Sequence, residues 1–255
     1  MIGKMRAVLG LLKKKRARKP ALVREALAID GESVIVTVRL NPRSRRIVMR
    51  VNPVSGDVTV TAPSRVGRAA ALAFVRGETE WVSRQRAVVP KPVPLAPGAT
   101  VPFLGTPHRI QAADGRIARG QAPVWCEGAQ IFVSGRAEHA ARRLTDYFKR
   151  EAKKEFEESA LAFGAQLGVK PSRITVRDTA SRWGSCSSAR SLSFSWRLIF
   201  APDFVRDYVV VHEVAHLKEM NHGPRFWAHV DSLTPHAGKA RKWLRENGRG
   251  LLRYN

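Results

Sequence analysis

HEVAHLKEMNH, residues 212–222, places three of the chain's seven histidines within eleven positions. On a helix, residues four apart share a face, so His212 and His216 can point the same way and share a metal ion. Glu213 follows the first histidine on an adjacent strip of the helix, within reach of a water at that ion without being a ligand itself. Two imidazoles make a weak site, and a catalytic zinc ordinarily takes three protein ligands and one open position. The third candidate is His222, six residues past His216. Asn221 before it, and Gly223-Pro224 after it, suit a chain that leaves the helix and turns back. A closed structural zinc is the alternative, but three histidines with an adjacent glutamate suit an open site better.

The preceding residues set the context. FVRDYVVVHEVAHLKEM (204–220) is apolar nearly all round, which predicts a buried helix opened by Ala201-Pro202. A buried helix tolerates charged and polar residues only for a reason. Upstream, RITVRD (173–178) and SLSFSWRL (191–198) read as strands, the second with Leu192, Phe194, Trp196 and Leu198 on one face. Between them lies SRWGSCSS, expected to run as an edge strand beside the histidine helix. Leu144, Phe148, Ala152, Phe156, Ala160, Phe163 and Leu167 recur at three- and four-residue steps and predict one long helix from about 137 to 167, stopping before Gly168.

Further out, alternation in SVIVTVRL, RRIVMRV and DVTVTAP, with turn-forming stretches between, predicts an antiparallel three-stranded meander. Two helical patterns follow, at 67–76 and 77–89. KPVPLAPG (91–98) is an extended connector, followed by short strands around VPFLG, HRIQAA and QIFVSG. The expected architecture is α+β: a basic tail over 1–26, an antiparallel β-rich domain over 27–135, and over 136–255 a catalytic domain built on the HExxH helix.

Composition narrows the classes. Forty-five basic against twenty-one acidic residues give a formal charge of +24 over 255 residues, a field that draws polyanions such as nucleic acid or nucleotides. No nucleic-acid-binding motif accompanies it. No apolar run approaches the length of a spanning helix, and Ala7–Leu12 runs straight into Lys13-Lys14-Lys15-Arg16, unlike a signal peptide. The two cysteines, Cys126 and Cys186, form no CxxC pair. These features set a cytoplasmic expectation.

HEVAHLKEMNHGPRFW, together with SRWGSCSS, SLSFSWRLIFAP and the early VRLNPRSRRIVMRV stretch, resembles the YgjP-like metal-dependent hydrolases, relatives of the SprT-type zincin proteases. The resemblance covers about residues 33–235. It implies a minimal zincin-like metallopeptidase domain with His212, His216 and His222 on Zn2+ and Glu213 as general base. Gly223 stands where the family often has serine, with little consequence expected. The histidine spacing also occurs in metzincins, but their helix-ending glycine corresponds to Glu219, which argues against that group.

The substrate stays open at this level. A peptide or protein is favoured; one bacterial member of the family is described as a UTP pyrophosphatase, so a nucleotide is the alternative, and a DNA-associated adaptor with a vestigial metal site is a third reading. Arg182, Trp183, Gly184 and Ser185 are candidate substrate contacts: the strand by pairing with an extended peptide, Arg182 by neutralising an anion or oxyanion. Trp183 serves equally as a cap on the core. Asp203, Asp207 and Asp231 are candidate acceptors for a ligand's free ring N–H. Phe226 and Trp227 are expected to pack the next helix against the histidine helix. Cys186 lacks any assigned base and makes a poor nucleophile candidate.

Overall fold

Asp30 and Gly31 both adopt positive φ, 50° and 79°, the conformation of a two-residue hairpin loop whose twist matches its flanking strands. They join β1 (Leu22–Ile29) to β2 (Glu32–Asn41), which pair antiparallel from Ile29↔Glu32 outward. This computed structural model describes residues 22–113 and 122–255. Residues 22–26, expected in the basic tail, are therefore strand; the rest of that tail lies outside the described residues.

β3 (Val48–Val51) and β4 (Val58–Pro63) complete the first sheet, in the order β1-β2-β4-β3. The expected three-stranded meander is corrected here. β2 and β4 pair directly with each other, in parallel, because β3 lies on the far side of β4 and not between them. Two helices follow, α1 (Gly67–Gly77) and α2 (Thr79–Ala87). Their Ala71, Leu72, Val75 and Val82 share a core with Val34, Val36, Val38, Val58 and Val60 from the sheet.

The described residues divide into two compact units, one comprising 22–52 and Gly56–Arg86, the other Pro53–Ser55 and the described residues from Ala87 to Asn255. The boundary expected at 135 is thus not where the units part. In the second unit, β5 (Thr100–Val101), β6 (His108–Ala112), β7 (Val124–Glu127) and β8 (Gln130–Val133) form a sheet in the order β5-β6-β8-β7. Val101, Ile110, Ile131 and Val133 from that sheet lie in one core with the long helix α3 (Ala140–Gln166). Burial joins what composition alone divides. The connector at 91–98 belongs to the same unit: Val93 N–H donates to the Arg253 carbonyl and Leu95 N–H to that of Asn255, and Leu95 is fully buried.

α3 spans 27 residues, about 40 Å at the usual rise. Leu144, Phe148, Ala152, Phe156 and Ala160 form its buried stripe, as expected. β9 (Arg173–Arg177), β10 (Gly184–Cys186) and β11 (Ser191–Ser195) make a third sheet in the order β10-β11-β9, which leaves β10 at an edge. β11 is shorter than its alternation predicts. Trp196–Phe200 turn into a 3-10 helix with every residue buried. Three α-helices follow, α4 (Asp203–Ala215), α5 (Pro224–Leu233) and α6 (Ala237–Asn247), and a 3-10 helix over Gly248–Arg253 comes after them. No helix of the described residues is long and apolar enough to cross a membrane.

Candidate metal centre

α4 begins where Pro202 ends extended backbone, with Asp203 in its first turn complementing the helix dipole. Its buried Arg206 fixes it in place: the guanidinium donates to the Glu155 carboxylate on α3 at 3.0 Å and to the Ala201 carbonyl at 2.8 Å. The helix ends sooner than its apolar pattern predicts, at Ala215, and His216 is its C-cap. Leu217 N–H and Lys218 N–H then turn back to the carbonyls of Val214 and Ala215. The following loop returns residue 222 to the helix face, and α5 starts after Gly223 with Pro224 in its first turn.

The result is a histidine triad. His212, His216 and His222 each offer a ligand atom, all within 4.8 Å of one another. The Nε2 atoms of His212 and His222 lie 3.1 Å apart. Two nitrogens on one tetrahedral zinc, at about 2.0–2.1 Å each, would be about 3.3 Å apart, so this spacing suits a shared ion. His216 donates its Nδ1–H to the Glu219 carbonyl at 3.0 Å, which leaves the Nε2 lone pair available as a ligand. That carbonyl takes the role for which three carboxylates were candidates. Asp203 instead pairs with Arg206, and among the described residues the buried His212 Nδ1 has no hydrogen-bond partner, so none of Asp203, Asp207 and Asp231 reaches it.

Phe226 is the floor of the site. Fully buried, its ring centre lies 4.6–4.9 Å from those of all three histidines. Trp227 stands further off, 6.1–6.2 Å from His212 and His222, with the Arg241 guanidinium over its ring. Burial, then the neighbouring histidines and Arg241, hold His212 at a pKa of about 4. Burial likewise lowers His216. Neutral imidazole is the form that binds a metal, so the donor set fits a borderline-soft divalent ion.

Glu213 is buried on the flank of α4 facing β10. Burial pushes its carboxyl up to about 7, against a smaller downward pull from Arg182. Gly184 sits directly over it: a Cβ at that position would lie 2.5 Å from Glu213 Oε1. The strand was expected beside this helix, and the glycine is what permits so close an approach.

The strand's polarity follows from its bonds. Ser195 N–H donates to the Trp183 carbonyl and Ser187 N–H to the Ser191 carbonyl, so the main-chain groups of residues 183, 185 and 187 face β11. Those of Gly184 and Cys186 then face the open edge. The Trp183 indole packs on Gly248, 3.3 Å from where a Cβ there would sit, and joins the core. Ser185 pairs with Ser193 on the sheet, and Arg182 is exposed beside them. The Cys186 thiol is pushed up by burial and then by Glu213, which opposes a thiolate role. Sequence reasoning missed the Glu219 carbonyl, which as main chain leaves no residue-type signal, and Arg241, which lies nineteen positions past His222 on another helix.

Comparison with protein-family models places the chain among the metallopeptidase-type hydrolases. The matching model is the YgjP-like, metallopeptidase domain, over residues 45–247, and the chain belongs to that family. A search of curated proteins found no significant match. Among solved structures, the metallopeptidase zymogen jannalysin of Methanocaldococcus jannaschii is 15% identical, with 36% of this chain and 94% of that chain covered and a TM-score of 0.33. The corresponding zymogen abylysin of Pyrococcus abyssi is 17% identical, with 36% and 93% covered at the same TM-score.

Proposed function

We propose that the chain is a zinc-dependent peptidase in which His212, His216 and His222 hold the ion and Glu213 is the general base. The observation that carries this reading is the gathering of three imidazole ligand atoms within 4.8 Å, beside a buried carboxylate and beneath an open strand edge. Zinc bound there supplies Lewis acidity, acidifying water and polarising the scissile carbonyl.

The chain's own residues do the rest. Glu213 accepts a proton from the attacking water and returns it to the leaving amine, and a carboxyl near 7 suits both transfers. His216 is held in one tautomer by the Glu219 carbonyl, so its Nε2 need not reorganise. Phe226 seals the inner side of the triad from water. At the edge of β10, the main-chain groups of Gly184 and Cys186 pair with an extended peptide, which lays its backbone alongside Glu213.

The test is cleavage of an unfolded protein such as casein by the zinc-loaded chain. Chelator-sensitive cleavage is expected, with loss in Glu213→Gln. Pyrophosphate release from UTP, without any proteolysis by the same preparation, would overturn the peptidase reading in favour of nucleotide hydrolysis.

A further inference from the structure

The sheet β10-β11-β9 has two chemically different faces. Ile174, Val176, Leu192 and Phe194 belong to, or pack on, the core. On the other face, strand register aligns Thr175, Ser193 and Ser185 in one row of hydroxyls across all three strands. A cavity of about 320 Å³ opens over this row, and Arg177 and Arg182 line it with the hydroxyls. None of the described residues lining it is acidic. Asp178, next to Arg177 in sequence, is engaged instead by the buried Arg197. The Thr175 hydroxyl donates to the Leu192 carbonyl, so the two guanidiniums and the hydroxyls of Ser193 and Ser185, converging without a carboxylate, make a receptor for an anion.

The cavity adjoins the open edge. Ser185, the middle residue of β10, points into it, whereas Gly184 on the opposite face meets Glu213. A peptide strand added to that edge alternates its side chains between the same two faces. The residue opposite Ser185 then projects on the cavity side, since directly opposed residues share a face. We infer that this cavity is a subsite for an acidic side chain of a peptide lying along β10, with Arg177 and Arg182 as the residues that set the preference. The inference rests on the peptidase reading above and names its substrate class: extended segments carrying Asp or Glu near the cut.

The experiment uses the full-length, zinc-loaded Glu213→Gln protein, so that peptide is bound and not consumed. Fluorescein-labelled extended peptides, identical except for Glu, Gln or Lys scanned through each position, are titrated by anisotropy. At one position Glu is expected to bind about tenfold tighter than Gln, the scale of a hydrogen bond to a charged group, with Lys weakest. Adding Arg177→Gln should bring the Glu/Gln ratio towards one. Arg142→Gln, which removes an exposed charge from α3 outside this cavity, should leave the ratio standing. Equal affinity for Glu and Gln at every position overturns the subsite, as does a preference that survives Arg177→Gln. Cleavage by the native chain with no charge preference keeps the peptidase and discards the subsite. Charge-selective binding with no cleavage of any peptide keeps the subsite and discards the peptidase.

Discussion

Gly184 and Glu213 are complementary surfaces: the glycine's missing Cβ is the space into which the glutamate's carboxylate is packed, with only 2.5 Å between that absent atom and Oε1. The backbone of β10 can therefore approach α4 more closely than any side chain would allow. Burial under this strand is also what raises the Glu213 carboxyl to about 7.

Gly184→Ala should consequently displace the glutamate or the strand. Overpacking of this kind typically costs about 1–3 kcal/mol, and the melting temperature should fall accordingly. Hydrolysis should fall further than stability explains, because the proposed base moves while the three histidines stay. Zinc titration of the same variant makes the distinction: unchanged zinc affinity with reduced turnover is expected. Native turnover in Gly184→Ala would show that the close packing is not used.

His222 is the exposed member of the triad and the only one outside α4 and its cap. Its replacement by alanine should leave the fold standing and weaken metal binding sharply, since a two-imidazole site lacks the third ligand zinc sites use. Metal content of the purified variant, and its affinity by competition with a chromogenic chelator, are the measurements. Full occupancy at native affinity would remove His222 from the centre.

The gathering of the three histidines was legible in the sequence because they lie within eleven residues, where helical phase and a single turn settle their geometry. The elements around it were harder to read, for identifiable reasons. Trp196 and Leu198 continue the alternation of β11, yet they sit in a 3-10 helix. Period-two patterning reports a strand only while one face stays wet, and here every residue from 196 to 200 is buried. β1 escaped because LVREALAI, following a run of lysines and arginines, mixes alanine and glutamate into its alternation. Glu25 lies on the helix side of the sheet, satisfied by Arg68 and Arg76, a pairing more than forty residues away in sequence. The domain boundary was misplaced because strands 100–133 look like those before them in composition. Only packing against α3 assigns them to the second unit.

Gly223 gives a prediction of tolerance. It is the N-cap of α5 in extended backbone, φ −79° and ψ −178°, with open space where a Cβ would go. Nothing there demands glycine. Gly223→Ser should fold and bind metal as before, and its hydroxyl can cap a free N–H of the helix, a gain of a few tenths of a kcal/mol, or about 1 °C. Differential scanning fluorimetry with and without zinc checks it. A large loss of stability would mean that the turn after His222 needs freedom this geometry does not show.

Glu213→Gln separates chemistry from structure. Glutamine keeps the shape under Gly184 and removes a carboxylate whose ionised form is disfavoured by burial, so the fold should be at least as stable at neutral pH. The histidines are untouched, so zinc should remain. What glutamine cannot do is take a proton from water, and turnover should fall by the ~10²–10⁴-fold typical of lost acid–base catalysis. Steady-state cleavage of a quenched peptide, with zinc content measured on the same sample, gives both numbers. A variant that keeps its zinc and hydrolyses at the native rate would leave Glu213 as a structural residue, and the base would have to be sought elsewhere. A variant that loses zinc and activity together would instead make Glu213 a support of the metal site.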